Sequence, residues 1–298
     1  MNHKLDVFQS MWAMEERRPG EEEKPVAEKV QKIIEAGYDG IDLVSTPDYR
    51  GQTEEWLEEI KDTELDISFT ALPGDPKIKN ADSVEDTLDF AYKWRDRLRY
   101  INLVPRVLPV DVNECADMVR GWLALGRGAD IPIYVETHRM SMTQDMLFTL
   151  ELMKAVPEMP MMADLSHCMV NQEWTFPPLS DEQQELVNRI LRRSEGFQGR
   201  VASAQQIQVQ LGFPQHQVWV GIFKDWWRRG FSSWRARHVD NPDARLVYVC
   251  ELGPAPYAIT GADGYELSDR WEEALTLKCW AKDIWNELEA NAVTNDRV

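Results

Sequence analysis

Residues 131–135 (IPIYV) form an apolar run that leads directly into residues 136–139 (ETHR). A second apolar run, residues 161–163 (MMA), leads into residues 164–167 (DLSH). The segment between the two runs is long enough for one helix. Two buried strands joined through a helix, each followed by a carboxylate, are the repeating unit of an α/β barrel. This stretch therefore predicts a βαβ unit with polar residues along one edge of a parallel sheet.

The rest of the chain repeats this alternation. Several of the predicted strands are continuous apolar runs, which are typical of parallel strands buried on both faces. No Gly-rich or Pro-rich linker divides the sequence, so we expect one α/β domain, a (β/α)8 TIM barrel over residues 1–298. Its eight strands alternate with eight helices and are expected at residues 5–8, 40–44, 66–71, 100–104, up to 136, up to 164, 197–202 and 245–251.

Composition limits the function classes. The chain has 298 residues, of which 43% are hydrophobic, and it contains twelve tryptophans, which indicates a folded globular protein. Its formal net charge of -18 argues against a nucleic-acid partner, because binding to a phosphate backbone needs a basic surface. The acidity is interpreted as a solvated surface, as a cluster of metal-binding carboxylates, or as both.

Location is predicted from cysteine spacing and hydropathy. Four widely spaced cysteines without a CxxC pair are typical of reduced, mostly buried thiols. The first residues lack the pattern of a signal peptide, and no run reaches the roughly 20 apolar residues that a transmembrane helix needs. The sequence therefore predicts a soluble cytoplasmic protein without a membrane partner.

Three carboxylates follow predicted strands. Barrel enzymes place their chemistry at the carboxyl ends of the strands, where Glu136, Asp164 and Glu251 are expected to converge. Three carboxylates in one cavity repel each other unless a cation lies between them. Oxygen ligands with few histidines favour Mn²⁺, Mg²⁺ or Co²⁺ over a structural zinc. The alternative is that each carboxylate caps a helix or pairs with an arginine, such as Arg139 or Arg200.

These motifs resemble the xylose-isomerase-like TIM barrels, the superfamily of sugar isomerases, epimerases and endonucleases. The resemblance lies mainly in the second half of the chain, whereas the first half agrees only in its βα alternation. Short motifs in the right order at strand ends indicate the superfamily and do not identify a substrate. The matching segments are residues 136–139 (ETHR), 164–167 (DLSH), 200–201 (RV), 208–209 (QV) and 251–257 (ELGPAPY).

The resemblance implies one divalent metal held by a glutamate, an aspartate, a histidine and a second glutamate. Glu136, Asp164 and Glu251 match three of these ligands, and Gln198 stands where the family has its histidine. An amide oxygen can bind a hard cation, so the resemblance leaves three outcomes open: a Glu-Asp-Gln-Glu site, a weakened site or no metal. The expected ion is Mn²⁺, with Mg²⁺, Co²⁺ or Zn²⁺ as alternatives.

The resemblance also implies a mechanism, in which a proton moves next to a carbonyl through an enediolate. Glu136 and Glu251 would remove and return the proton from opposite sides of a carbohydrate substrate. His138, Arg139, His167, Arg200 and Trp12 are the candidate substrate-binding residues. Three of these side chains have a structural alternative: His167 as a histidine with structural bonds at the barrel mouth, Arg139 in an ion pair, and Trp12 in the core.

Three functions remain open at this point. The first is a metal-dependent sugar isomerase or epimerase, and the second is a lyase or dehydratase acting on a keto-sugar or keto-inositol. The third is a non-catalytic sugar-binding barrel with a degenerate metal site. The endonuclease branch uses several zinc ions and many histidines, which five histidines cannot supply. Tryptophans in residues 217–234 are interpreted as core or as the interface of a homo-oligomer.

Overall fold

The strands of this chain close into a parallel barrel. The computed structural model describes residues 3–74, 84–108, 111–175 and 177–295. Parallel pairing runs through consecutive strands and is closed by β1 with β8, where Val7 lies opposite Tyr248. The predicted (β/α)8 fold is confirmed. The strands are β1 (Lys4–Ser10), β2 (Gly40–Val44), β3 (Asp66–Ala71), β4 (Leu98–Leu103), β5 (Ile133–Glu136), β6 (Met161–Ala163), β7 (Ser194–Gly199) and β8 (Arg245–Cys250).

Helices cover the outside of the barrel. Short 3-10 turns at Trp12–Met14, Tyr92–Trp94 and Pro214–His216 supplement them. Among the described helices, none combines the length and apolar character that crossing a bilayer requires. The helices are α1 (Val26–Glu35), α2 (Arg50–Ile60), α3 (Val84–Ala91), α4 (Val112–Ala129), α5 (Met146–Ala155), α6 (Leu165–Gln172), α7 (Asp181–Leu191), α8 (Gln217–Arg237) and α9 (Arg270–Asn295).

Two elements differ from the sequence prediction in ways that affect the candidate site. Strand β7 ends at Gly199, not at residue 202, so Arg200 follows the strand. Helix α6 was not predicted, and it begins directly after Asp164, whose carboxylate accepts a hydrogen bond from the Ser166 amide. An aspartate before a helix satisfies one of the amide groups at its first turn, which explains why this short segment is helical.

The inside of the barrel is layered. Its middle is filled by an apolar cluster in which Phe8, Tyr100 and Met162 are buried, with Tyr134 stacked on Tyr100 at a ring distance of 4.7 Å. Gly40 leaves room for Phe8, because a Cβ atom there would lie 2.4 Å from the Phe8 ring. This cluster closes the barrel beneath the polar residues at the carboxyl ends of the strands.

The tryptophan-rich helix α8 packs against the outside of the barrel. Trp226, Trp227 and Trp234 are each almost completely buried, and Trp227 meets the ring of Tyr248 on β8 edge-on. The core interpretation of these tryptophans therefore agrees with the structure. The homo-oligomer stays a prediction, since these buried side chains form no exposed aromatic surface.

Candidate active site

A cavity of about 240 Å³ opens at the carboxyl end of the barrel. Five of the nine residues predicted for the site line it: Glu136, Glu251, His138, Arg200 and Trp12. The other four lie directly around these five, because they follow neighbouring strands of the same closed sheet or contact the lining residues. The residues predicted for the site therefore lie in or beside one cavity.

Glu136 ends strand β5 and is almost completely buried. Its Oε2 atom accepts hydrogen bonds from the side-chain amide of Asn102 and, at 3.3 Å, from that of Gln198. Burial raises the pKa of the Glu136 carboxyl well above its ordinary value, and the nearby charges of Glu251 and Asp164 raise it further. Glu136 is thus a buried carboxyl group held by neutral donors rather than by a cation.

Asp164 and Glu251 have a different environment, because Arg200 bridges them. One guanidinium nitrogen lies 2.7 Å from Asp164 Oδ2 and the other lies 2.8 Å from Glu251 Oε2. The Nε atom of Arg200 also donates to the main-chain oxygen of Glu251 at 2.9 Å. Two of the alternatives raised by the sequence are therefore present together: Asp164 caps a helix, and both carboxylates pair with an arginine.

The arginine bridge changes the pKa values of the side chains that it joins. Burial opposes the positive charge of Arg200, but Asp164 and Glu251 outweigh it and raise the pKa of the guanidinium. Burial raises the pKa of Glu251 to about 8, although Arg200 acts in the opposite direction. One guanidinium therefore does not offset the burial of all the carboxylates around it.

Gln198 lies near the end of strand β7, in the position that the resemblance assigns to a histidine. Its NH2 group donates to Glu136, while its buried Oε1 atom has no hydrogen-bond partner. The side chain is thus part of the network around Glu136. Its carbonyl oxygen is the only atom of the amide that can bind a cation.

The two histidines lie against each other. The ring centroids of His138 and His167 are 3.8 Å apart. Burial lowers the pKa of both rings well below the ordinary value, and nearby positive charge lowers it further, with Arg200 the largest such charge at His167. Both imidazoles are therefore neutral near neutral pH, which is the form that binds metal ions.

Aromatic and cationic side chains form one wall of the site. The ring of Tyr257 meets that of Trp12 at right angles, with the centroids 4.9 Å apart. The guanidinium groups of Arg139 and Arg200 lie 5.0 Å and 4.9 Å from the Tyr257 ring centroid. No described carboxylate lies within ion-pair distance of Arg139, so the predicted alternative of an ion pair is not observed there. Tyr257 lies in the motif of residues 251–257, and the sequence did not predict a role for it.

Asp42 is a cavity carboxylate that the sequence prediction missed. It is buried on strand β2 and accepts hydrogen bonds from Ser68 Oγ at 2.7 Å and from Thr70 Oγ1 at 3.2 Å. Burial raises the pKa of Asp42 to about 7. Thr70 in turn accepts from Asn102, which donates to Glu136, so a chain of polar side chains connects two carboxylates. The sequence feature that could have identified Asp42 is a single carboxylate inside an otherwise apolar strand.

Solved structures share this fold over nearly their whole length. A xylose isomerase-like TIM barrel protein from Mycobacterium smegmatis in complex with magnesium is 14% identical, with a TM-score of 0.56 and coverage of 94% of this chain and 98% of that chain. The chain has the fold of the xylose-isomerase-like TIM barrels. No protein-family model matches it, and no curated protein matches it in sequence.

Two sugar epimerases are similar to the same extent. The 3-keto-D-glucoside 4-epimerase from E. coli is 14% identical, with a TM-score of 0.53 and coverage of 94% of this chain and 100% of that chain. D-allulose 3-epimerase from Methylomonas sp., solved with D-allulose, is 11% identical, with a TM-score of 0.55 and coverage of 95% and 97%. At these identities the likeness establishes the fold, and the function has to be argued from the site.

The fold family implies a metal ion, and two sets of side chains can be compared with that expectation. In the predicted set of Glu136, Asp164, Gln198 and Glu251, a cation would have to displace the guanidinium that bridges two members, so this set does not fit an ion as it stands. A second set of Glu136, His138 and His167 offers three ligand atoms within 4.8 Å of one another. This second set fits a divalent ion.

Proposed function

We propose that the chain is an isomerase or epimerase of a small carbohydrate, which moves a proton on a carbon next to a carbonyl. The observation that carries this proposal is a pair of glutamates, the buried Glu136 and the mostly buried Glu251, which line one cavity and have raised pKa values. Carboxyl groups with raised pKa values in a cleft are typical of general acid–base sites. The fold shared with sugar epimerases supports the same reaction class.

The two glutamates supply the proton transfers in this proposal. A carboxyl group whose pKa is near 8 is a stronger base when ionised than an ordinary carboxylate, and it returns the proton readily near neutral pH. Epimerisation needs one group to remove the proton from one face of the carbon and a second group to deliver a proton to the other face. Glu136 and Glu251 are suited to these two roles because their environments differ, one with amide donors and one with Arg200.

The surrounding side chains bind and orient the substrate in this proposal. Arg200 and Arg139 offer donors for hydroxyl and carbonyl oxygens, and Trp12 together with Tyr257 offers an apolar surface for the C–H face of a sugar. His138 and His167, both neutral, complete the polar rim. A divalent ion, of which Mn²⁺ is the expected one, would polarise the carbonyl and lower the energy of the enediolate when bound.

The proposal is tested by product analysis with substitutions that keep side-chain size. Purified protein is incubated with a panel of ketoses and keto-glycosides, and the products are identified by NMR. We expect an epimer or an isomer of the substrate, whereas loss of water or cleavage of a bond would identify a lyase instead. Glu251→Gln and Glu136→Gln should each lower turnover by about 100-fold or more, because general acid–base groups contribute 10²–10⁴-fold.

Glu273→Gln is the matched control. Glu273 is also largely buried and has a raised pKa, but its carboxylate accepts from the Leu211 amide and does not line the cavity. Turnover in this variant should stay close to that of the unaltered protein. Full turnover in Glu251→Gln would remove Glu251 from the proton transfer, and binding of a sugar without any product would identify a non-catalytic barrel.

A further inference from the structure

We infer that this cavity holds its divalent cation on Glu136, His138 and His167, and not on the set of Glu136, Asp164, Gln198 and Glu251. This inference concerns the cavity of the proposed function and depends on that proposal only for the use of the ion in catalysis. One ligand atom of each residue lies within 4.8 Å of the other two. Ligand atoms about 2 Å from one ion lie at most about 4 Å apart, so small side-chain shifts would bring these three atoms onto one ion.

His138 is prepared as a ligand by its own backbone. The Nδ1 atom contacts the main-chain oxygen of Arg139, and a carbonyl oxygen only accepts hydrogen bonds. The proton of the neutral ring therefore lies on Nδ1, which leaves the lone pair of Nε2 available. A metal-binding histidine ordinarily donates its other ring N–H to a carbonyl or a carboxylate in this way.

His167 has an unused nitrogen in a buried place. Its side chain is only 2% exposed, and Nδ1 has no hydrogen-bond partner. The Nε2 atom lies 3.5 Å from Asp164 Oδ2 and 3.4 Å from a nitrogen of Arg200, whose shorter bond of 2.7 Å goes to Asp164 itself. Because a guanidinium N–H only donates, Nε2 accepts from Arg200 when no ion is bound, and the proton then lies on Nδ1. Binding of the ion at Nδ1 uses the other tautomer, in which the Nε2 proton faces Asp164 Oδ2 and the carboxylate orients the ring.

Glu136 is the acidic member of the set. Both of its amide donors, Asn102 and Gln198, bind the same oxygen, Oε2. Among the described residues, no guanidinium pairs with this carboxylate, in contrast to Asp164 and Glu251. A buried carboxylate without a cationic partner is costly, and a bound cation would offset that cost.

Arg200 argues against the other set. A divalent ion placed between Asp164 and Glu251 would lie where the guanidinium now is and would be repelled by it. The positive charge that an ion would supply to those two carboxylates is already supplied by the arginine. The carboxylate left without such charge is Glu136, which is the one beside the two histidines.

The ligand type predicts the preferred ion. One carboxylate and two imidazoles favour Zn²⁺, Co²⁺ or Mn²⁺ over Mg²⁺, which prefers oxygen ligands and keeps its waters. Three protein ligands leave coordination positions open for substrate oxygens. The set of three carboxylates and an amide would instead bind Mg²⁺ without any nitrogen ligand, so the two sites differ in a measurable way.

The experiment titrates the metal-free, full-length protein with Co²⁺ alone, using calorimetry for affinity and visible absorption for coordination. We expect one Co²⁺ per chain, and pulsed EPR of bound Mn²⁺ should detect coupling to histidine nitrogen. His138→Ala and His167→Ala should each weaken Co²⁺ binding by roughly 100-fold or more. Gln198→Ala should weaken binding less than either histidine substitution, by about 10-fold, since it removes a hydrogen bond to the ligand Glu136 and not a ligand itself.

Two controls keep the result interpretable. Melting temperatures of the metal-free variants show whether they fold, and His167→Gln provides a second variant with a polar side chain. Strong loss of Co²⁺ binding in Gln198→Ala with retention in both histidine variants would overturn the inference in favour of the other set. Absence of Co²⁺ and Mn²⁺ binding in the unaltered protein would also overturn it. Product formation measured in chelator would then decide the proposed function separately.

Discussion

Charged side chains lie at both ends of this barrel, but the two ends differ in how many carboxylates have an arginine partner. At the amino-terminal end, Asp6 and Asp66 lie among Arg245 and Arg99, and Arg245 is 2.6 Å from Asp6. Two carboxylates there meet two guanidinium groups. At the carboxyl-terminal end, four carboxyl groups lie in or beside the cavity: Asp42, Glu136, Asp164 and Glu251. Among the described residues, Arg200 pairs with two of these four, Asp164 and Glu251.

The difference separates a structural charge cluster from a functional one. Paired charges at the amino-terminal end contribute to stability, which is the usual role of that end in barrel enzymes. Carboxyl groups with too little compensating charge are retained at a cost in stability. Asp42 pairs with no described cation and Glu251 shares one arginine with Asp164, and their raised pKa values near neutrality suit proton transfer. We therefore expect neutralising a carboxylate without a cationic partner, such as Asp42, to raise stability and lower turnover, whereas neutralising the paired Asp6 should lower stability and leave turnover unchanged.

The largest expected effect comes from removing the bridging arginine. Arg200→Met keeps most of the side-chain volume but leaves Asp164 and Glu251 buried without a cation. The free energy of unfolding should fall by about 3 to 5 kcal/mol, the usual cost of breaking a buried pair from one side. Urea denaturation at neutral pH measures this change.

Arg139→Met is the control for that prediction. The Arg139 guanidinium lies over the Tyr257 ring and pairs with no described carboxylate, so its loss should cost about 1 kcal/mol or less. Equal costs for the two substitutions would contradict the bridge as the source of stability at this end.

Asp42 gives the next largest effect, and its sign depends on pH. Its folded pKa of about 7 is above its ordinary value of 3.8, so the folded state keeps a proton that the unfolded state releases. Asp42 therefore destabilises the fold increasingly as pH rises through this window, and the cost is constant above it. The gain in stability of Asp42→Asn relative to the unaltered protein should therefore grow as pH rises from about 3 to about 8 and reach about 2 to 4 kcal/mol above that range.

Denaturation curves at several pH values check this expectation. The gain should be close to zero below about pH 3, where Asp42 is protonated in both states, and it should reach a plateau above about pH 8. Turnover should fall in the same variant, because Asp42 lines the cavity. A gain that does not change with pH would show that Asp42 is not the group that titrates.

Substitution of Asp6 should lower stability, in contrast to substitution of Asp42, and this change is the smallest of the three. Asp6→Asn removes a charged hydrogen bond to Arg245 at the amino-terminal end. Stability should fall by about 1.5 to 3 kcal/mol, the range for hydrogen bonds to charged groups, with turnover unchanged. The comparison between the two ends would fail if this variant lost turnover as strongly as Glu251→Gln.

Much of the fold could be predicted because β-strands buried on both faces are visible as apolar runs. Strand β2, at Gly40–Val44, and strand β3, at Asp66–Ala71, have the predicted bounds. Strand β7 was placed three residues late, since Ser194, Glu195 and Gly196 do not have the apolar character of the other strands. Helix α6 was missed because it is short and is started by a single aspartate cap.

The candidate site could be predicted only in part, because alternation gives the positions of strand ends but not the contacts between side chains. Glu136, Asp164 and Glu251 follow strands, so their positions were available from the alternation alone. The arginine bridge could not be seen, because it depends on side-chain distances across two strand ends. Asp42 and Asn102 were overlooked since each lies within an apolar strand, where alternation points one polar residue into the barrel.

The central claim is that carboxylates at the carboxyl end of the barrel move a proton on a carbon next to a carbonyl. Its most direct test is solvent exchange in D2O, with NMR following the C–H signal next to the carbonyl of each ketose in the panel. We predict that the unaltered protein exchanges this hydrogen for deuterium. For a given epimer, exchange should be lost in whichever of Glu136→Gln and Glu251→Gln removes the carboxylate on the C–H side, and neither variant should form the other epimer. Absence of exchange in the unaltered protein, with and without Mn²⁺, would contradict the claim.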